Sequence, residues 1–243
     1  MPLNGWRSPE EISEKMEIRA GRAIEHVRTL AYGVTPRLCP ICGYSGPFSP
    51  VRHKPEIWCP SCDSRPRHRL LKLWMDREML VHPGASVLHF AAEPWVRDEM
   101  ALRRVNYRTA DINESFELQL DITAIDLPDE SEDMIMAHHV LEHVDDSLAF
   151  SEIFRVLLPG GQAVITVPMI EGFAETYEDP AHNTPDLRKL YYGDPTHVRW
   201  YGKDFRNRFA KPGFVVTEFT ALEPEATRHA LHRGEKVFIG LKP

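Results

Sequence analysis

Four cysteines and a group of histidines and carboxylates are the residues of this chain most able to do chemistry. Cys39, Cys42, Cys59 and Cys62 form two C-x2-C pairs separated by 16 residues, and no other cysteine occurs. Two thiolate pairs at this spacing suit a tetrahedral zinc site. In a secreted chain the same four would suit two disulfides. The tight Cys-Pro-Ile-Cys and Cys-Pro-Ser-Cys turns let backbone amides point at the sulfurs, which favours the thiolate form. Four protein ligands leave no position for water or substrate, so such a metal would be structural.

The second group needs a sheet to position it. From Ala85 onward short apolar runs alternate with helical stretches. Strands are expected over 86–90, 106–110, 118–120, 133–137 and 162–167, with a final pair at 214–220 and 236–241. Helices are expected from Pro94, over 147–157 and over 203–210. This alternation predicts an open, largely parallel α/β sheet with helices on both faces. In such sheets ligands bind outside the carboxyl ends of the strands, and there the chemistry-bearing residues fall. His89, Ala91 and Glu93 follow the first run. Asp111 follows the second, 20 residues beyond Ala91, a separation at which an acid reaches the two hydroxyls of a ribose. Asp121 and Ile122 follow the third and suit the edge and face of an adenine. His138, His139, Glu142 and His143 follow the fourth. The competing readings are plain: either aspartate could cap a turn, and a helical histidine could simply pack.

The N-terminal part reads differently. Ser8-Pro9-Glu10-Glu11 is a helix start with serine cap, proline and glutamate in place, and apolar residues recur at helical spacing to Leu30. The expected organisation is an N-terminal helix over 1–36, a ribbon and following helix over 37–83, and the sheet domain over 84–243. Within it, 169–201 is too long for an ordinary connection and carries Tyr177, Tyr191, Tyr192, Trp200 and Tyr201, which suits either a cover over a bound molecule or a packed surface excursion anchored by its aromatics.

Bulk composition limits the partners. Of 243 residues, 29 are basic and 36 acidic, a net charge of -7, so no overall field draws the chain to nucleic acid or an anionic membrane. No stretch approaches membrane-spanning length and the N-terminus lacks an apolar signal core, which reads as cytoplasmic.

Several segments together resemble the class I S-adenosylmethionine-dependent methyltransferases: Asp121-Ile122-Thr123, Asp133-Met134-Ile135, His139-Val140-Leu141-Glu142-His143 and Arg155-Val156-Leu157-Leu158-Pro159-Gly160-Gly161. The ribbon, with Leu88-His89-Phe90-Ala91-Ala92-Glu93-Pro94 and Asp194-Pro195-Thr196-His197-Val198-Arg199-Trp200-Tyr201, is similar to a bacterial zinc-ribbon subgroup of them. The resemblance implies a Rossmann-like seven-stranded sheet whose last strand is antiparallel. It implies S-adenosylmethionine contacts at His89, Ala91, Glu93, Asp111, Asp121, Ile122 and His138. The first loop departs from the superfamily, with His89, Ala91 and Glu93 where an acid and three glycines are usual. The expected reaction is O-methylation of a small polar or sugar-like acceptor. A histidine would serve as base, ranked His139, His197, His143, and Tyr177, Arg199 and Tyr201 would contact the acceptor. Two other readings stand beside it. One is an RNA or protein methyltransferase that recognises its partner through the ribbon and Arg65, Arg67, His68 and Arg69. The other is a non-catalytic scaffold that only binds S-adenosylmethionine.

Overall fold

The computed structural model describes residues 36–51 and 54–243, together with Met16, Ala20, Ala23 and Val27, all four helical. The rest of the N-terminal helix expected over 1–36 lies outside the described residues. The described chain divides into two compact units, 1–77 with 221–235, and 78–220 with 236–243.

The first unit is built on two matching cysteine knuckles. β1 (Arg37–Leu38) pairs antiparallel with β2 (Ser45–Gly46), and β3 (Ser49–Val51) with β4 (Lys54–Trp58). In the first knuckle Cys39 N–H donates to Tyr44 C=O and Gly43 N–H returns to Cys39 C=O. In the second, Cys59 N–H donates to Ser64 C=O and Asp63 N–H returns to Cys59 C=O. Each closes through a left-handed residue, Gly43 at φ 75° and Asp63 at φ 60°, a conformation that glycine and aspartate tolerate best. Helix α1 (Pro66–Arg77) follows, shorter at its C-terminus than the periodicity suggests. Segment 221–235, expected within the sheet domain, packs here instead.

Arg69 of α1 is fully buried. Its guanidinium donates to the carbonyls of Ser64, Ile57, His229 and Ala230 and lies over the Phe48 ring at 4.7 Å. Arg69 is therefore a tie between α1, the ribbon and 221–235, and it offers no charge to a phosphate.

The second unit is a seven-stranded sheet in the order β10-β11-β9-β8-β5-β6-β7. β5 (Ser86–Phe90), β6 (Asn106–Asp111), β7 (Leu118–Gln119), β8 (Glu132–His138) and β9 (Leu157–Thr166) run parallel; β11 (Lys236–Leu241) runs antiparallel between β9 and β10 (Val215–Thr220). The antiparallel strand the resemblance implied is present. Strands of a parallel sheet are buried on both faces and read as continuous apolar runs, as Met134, Ile135, Met136 and Ala137 show. β9 begins earlier than expected. It extends through Gly161, where any Cβ would stand 2.8 Å from Leu158 C=O and 3.0 Å from Asp133 C=O.

Helix α2 (Pro94–Arg103) follows β5, and α3 (Asp146–Val156) precedes β9. Asp145 caps α3 by accepting from Ser147 and Leu148 N–H, and Ala149, Phe150, Ile153 and Val156 line its buried face. Helix α4 (Pro185–Tyr192), within 169–201, was not expected; α5 (Phe205–Ala210) was, slightly longer. Phe150 stacks on Phe209 at 5.0 Å, joining α3 to α5 in the main core. Among the described residues no helix is long and apolar enough to cross a membrane.

The connection 169–204 is held by a buried ionic knot. Asp146, 2% exposed, accepts two hydrogen bonds from Arg208, both at 2.8 Å, and one from Tyr201 Oη at 3.1 Å. Glu178 accepts from Arg199 and Arg208. The Asp146 hydrogen bonds raise the Arg208 pKa above its ordinary value. Removing one member of a buried pair leaves the other uncompensated. Asp146→Ala is therefore expected to cost about 3 kcal/mol of stability, read from urea unfolding followed by circular dichroism.

Candidate active site

The carboxyl edge of β5, β6 and β8 collects most of the residues singled out by the sequence. Two non-glycine residues there adopt left-handed backbone, Ala91 at φ 51° after β5 and His139 at φ 56° after β8. Such conformations cost on the order of 1 kcal/mol or more and gather at functional edges. Ala91 N–H donates to Ala110 C=O and His139 N–H to Thr166 C=O. Each turn is thereby pinned to the neighbouring strand.

Around β5 lies one cluster. His89 is buried, its Nδ1 2.8 Å from Tyr107 Oη and its ring edge-on to His138 at 5.0 Å. His138 Nδ1 is 3.3 Å from Thr166 Oγ1. One ligating atom each of His89, Glu93 and His138 lies within 4.8 Å of the others. Among the described residues the buried Nε2 of His89 has no hydrogen-bond partner. Burial pushes the His89 pKa down to about 4, against the opposing pull of Glu93. Glu93 stands at the N-cap of α2 without capping it. A cavity lined by Ala92, Glu93, Arg97, Tyr107, Phe116 and Glu117 opens beside this loop and does not include Asp111 or His139.

The two aspartates cap turns, as the first of the readings offered for them expects. Asp111 Oδ1 accepts from Asn113 N–H and Nδ2, and Asp121 Oδ1 accepts from Thr123 N–H and Oγ1. Each caps a turn with one oxygen and keeps Oδ2 outside that turn. Ile122 is buried in the main core.

Around the turn after β8 lies a second cluster. A 3-10 turn spans Leu141–His143. Glu142 is fully buried; its Oε1 lies 3.1 Å from His139 Nδ1, and its Oε2 has no partner among the described residues. His143 is exposed and its ring meets that of His197 edge-on at 4.7 Å. One ligating atom each of Glu142, His143 and His197 lies within 4.8 Å of the others. Burial holds His197 below the ordinary histidine pKa, with Glu142 opposing and His143 reinforcing. The three histidines ranked as bases thus converge. The residue they converge on, Glu142, was named along the strand edge but given no role. Its signal was spacing, since a glutamate three residues after His139 reaches back across a single turn.

Arg199 and Tyr201 are placed differently from expectation. Arg199 is buried and donates to Leu141 C=O at 2.9 Å, Val144 C=O at 2.6 Å and Glu178 at 2.8 Å. Tyr201 is fully buried and donates to Leu141 C=O. Their polar atoms are spent inside the fold. Tyr177 is exposed, and nearby His182 stacks on Tyr191 at 3.7 Å.

The four cysteines are unpaired, and each offers its sulfur within 4.8 Å of the others. Cys39–Cys62 and Cys42–Cys59 sulfurs are 3.6 Å apart, close to the roughly 3.8 Å edge of a tetrahedron with 2.3 Å metal–sulfur bonds.

Comparison with known proteins agrees with this geometry. Residues 88–165, which carry β5 through β9 and both strand-edge clusters except His197, match the family described as "Methyltransferase domain". The matched stretch is about a third of the chain, and the sheet around it has the Rossmann-like fold of the class I methyltransferases. A methyltransferase from Mesorhizobium loti superposes with a TM-score of 0.51 at 14% identity, over 72% of this chain and 98% of that one. Phosphoethanolamine N-methyltransferase 2 of Haemonchus contortus, bound to S-adenosyl-L-methionine, gives 0.51 at 13%, over 72% and 52%. The [4+2]-cyclase SpnF gives 0.52 at 15%, over 72% and 81%. At these identities the likeness is one of fold. No curated protein sequence matches the chain.

The buried imidazole of His89 makes the stability of the sheet unit depend on pH. With a folded pKa of about 4 and an unfolded value of 6.5, the unfolded chain binds a proton that folded His89 refuses. Stability is full above pH 6.5 and falls as pH drops toward 4, by roughly 3 kcal/mol from this residue. Urea unfolding at pH 7, 5.5 and 4 should show the decline, and His89→Leu should flatten it.

Proposed function

We propose that this domain methylates a hydroxyl of a small polar or sugar-like acceptor, with His139 as general base. The observation that carries the reading is the convergence of His139, His143 and His197 on buried Glu142 at the carboxyl edge of the methyltransferase sheet. When bound, S-adenosylmethionine supplies an electrophilic methyl group on a sulfonium.

The residues of the edge fit that group. Asp111 would hold the ribose hydroxyls through Oδ2, and Asp121 with Ile122 would meet the adenine. The unpartnered Nε2 of His89 would gain a polar partner from the bound molecule. A histidine kept neutral by burial adds no repulsion beside a sulfonium, and the Glu93 carboxylate favours a cation nearby. Ala91 and His138 complete the contact set. Ala91 closes the turn without the glycines usual in the superfamily, and its N–H is already engaged, so the cofactor's tail would lean on side chains.

On the acceptor side, His139 takes the hydroxyl proton as the oxygen attacks. Glu142 fixes the imidazole through Nδ1, leaving Nε2 as the basic atom. In-line displacement asks mainly for alignment and exclusion of water. Segment 169–201 would supply the cover, with Tyr177 against the acceptor and Arg199 and Tyr201 holding the segment. Zinc on Cys39, Cys42, Cys59 and Cys62 would be structural and would place the chain in the zinc-ribbon subgroup. The burial of Arg69 weighs against a ribbon that grips nucleic acid.

Two variants separate the roles. His139→Asn keeps a residue that tolerates left-handed backbone; it should lower turnover about a hundredfold or more while leaving cofactor affinity nearly intact. Asp111→Ala should weaken S-adenosylhomocysteine binding at least about tenfold. Calorimetry and methyl incorporation across a panel of hydroxyl acceptors read the two effects. Equal turnover in His139→Asn would remove the base.

A further inference from the structure

We propose that Glu142, His143 and His197 form a second metal site, one that takes a divalent transition-metal ion and keeps coordination positions open for an acceptor oxygen. The claim deepens the proposed function and rests on it for the acceptor alone; the ion-binding site stands on its own observations.

The first is an imbalance. Glu142 is fully buried, yet among the described residues only Oε1 has a partner, His139, and Oε2 has none. A buried carboxylate oxygen without a donor is destabilising unless a cation or proton meets it. The second concerns the opposite ligand: Nδ1 of His197 is buried and also lacks a hydrogen-bond partner among the described residues. The third is convergence. Ligating atoms of Glu142, His143 and His197 lie within 4.8 Å of one another. Ligands sharing a tetrahedral ion at about 2.1 Å stand roughly 3.4 Å apart. Rotation of the exposed His143 side chain can shorten two of the three separations.

The scaffold around the three is rigid. Val198 N–H donates to Glu142 C=O, which ties the segment carrying His197 to the turn carrying the other two. Arg199 clamps Leu141 and Val144 on either side of that turn. His139 holds Glu142 from behind, as the outer partner of a ligating carboxylate commonly does. Asp194 adds a second negative charge near enough to act on His197 and His143.

Two imidazoles and one carboxylate select a borderline transition metal over magnesium or calcium, which prefer all-oxygen sites. Three protein ligands leave room for further ones. An acceptor oxygen bound there would sit beside His139, and the ion would make its proton easier to remove.

The test counts metal in the full-length protein. After dialysis against micromolar Co2+, total zinc plus cobalt should be two ions per chain. Cys59→Ser should remove the thiolate-bound ion and leave the other. His143→Ala, an exposed change, should weaken the other at least tenfold with far-ultraviolet circular dichroism unchanged, and His197→Ala should do the same. One ion per chain in the unaltered protein that is lost with Cys59→Ser overturns the site, as does a second ion indifferent to both histidine substitutions. A second ion lost with His143, in a protein that fails to bind S-adenosylhomocysteine, would support the site and overturn the methyl-transfer reading.

Discussion

The arrangement of the strand edge depends on how one buried aspartate is neutralised. Asp146 opens α3 immediately after the turn that carries Glu142 and His143, and it is satisfied from far along the chain by Arg208 and Tyr201. Arg199 stands 3.8 Å away and spends its hydrogen bonds on the carbonyls of Leu141 and Val144. A charge that must be paired to be buried thus recruits the segment after β9 and lays it along the turn after β8. His197 is brought against His143 as a consequence. The same constraint explains why the connection is long: it must leave the sheet, form α4 and return to reach Asp146.

Much of the architecture was legible because it follows from local pattern. Parallel strands covered on both faces leave continuous apolar runs, and Ser86–Phe90 and Lys236–Leu241 have the bounds that pattern suggested. The cysteine pairs were legible because a knuckle needs only five consecutive residues. The strand-edge histidines were legible because position at the end of a run is a sequence property. Glu142 escaped notice as the centre of its cluster, since a glutamate in a polar turn ordinarily faces water.

Long-range satisfaction of charge was not legible. Arg199 and Tyr201 looked like acceptor contacts because nothing nearby in sequence shows the carbonyls and the aspartate, more than 50 residues away, that claim them. Segment 221–235 looked like part of the sheet domain for a similar reason. Its ties run from His229 Nδ1 to the Leu38 carbonyl and from Arg69 to the carbonyls of His229 and Ala230, 160 residues or more away. The buried Arg69 also places a cation in the unit that holds four sulfurs. The charge of Cys39, Cys59 and Cys62 opposes the fall in its pKa, which burial brings down to about 10. A four-thiolate zinc site keeps net negative charge, and a buried guanidinium in the same unit offsets part of it.

The central claim is that methyl transfer happens where these elements meet, at the edge of β5 and β8. A crystal structure of the protein with S-adenosylhomocysteine tests it most directly. The account predicts the ribose hydroxyls on Asp111, the homocysteine portion beside His89 and Glu93, and the sulfur facing His139 across a space large enough for an acceptor. A ligand bound elsewhere, or a sulfur turned away from His139, His143 and His197 alike, would contradict it.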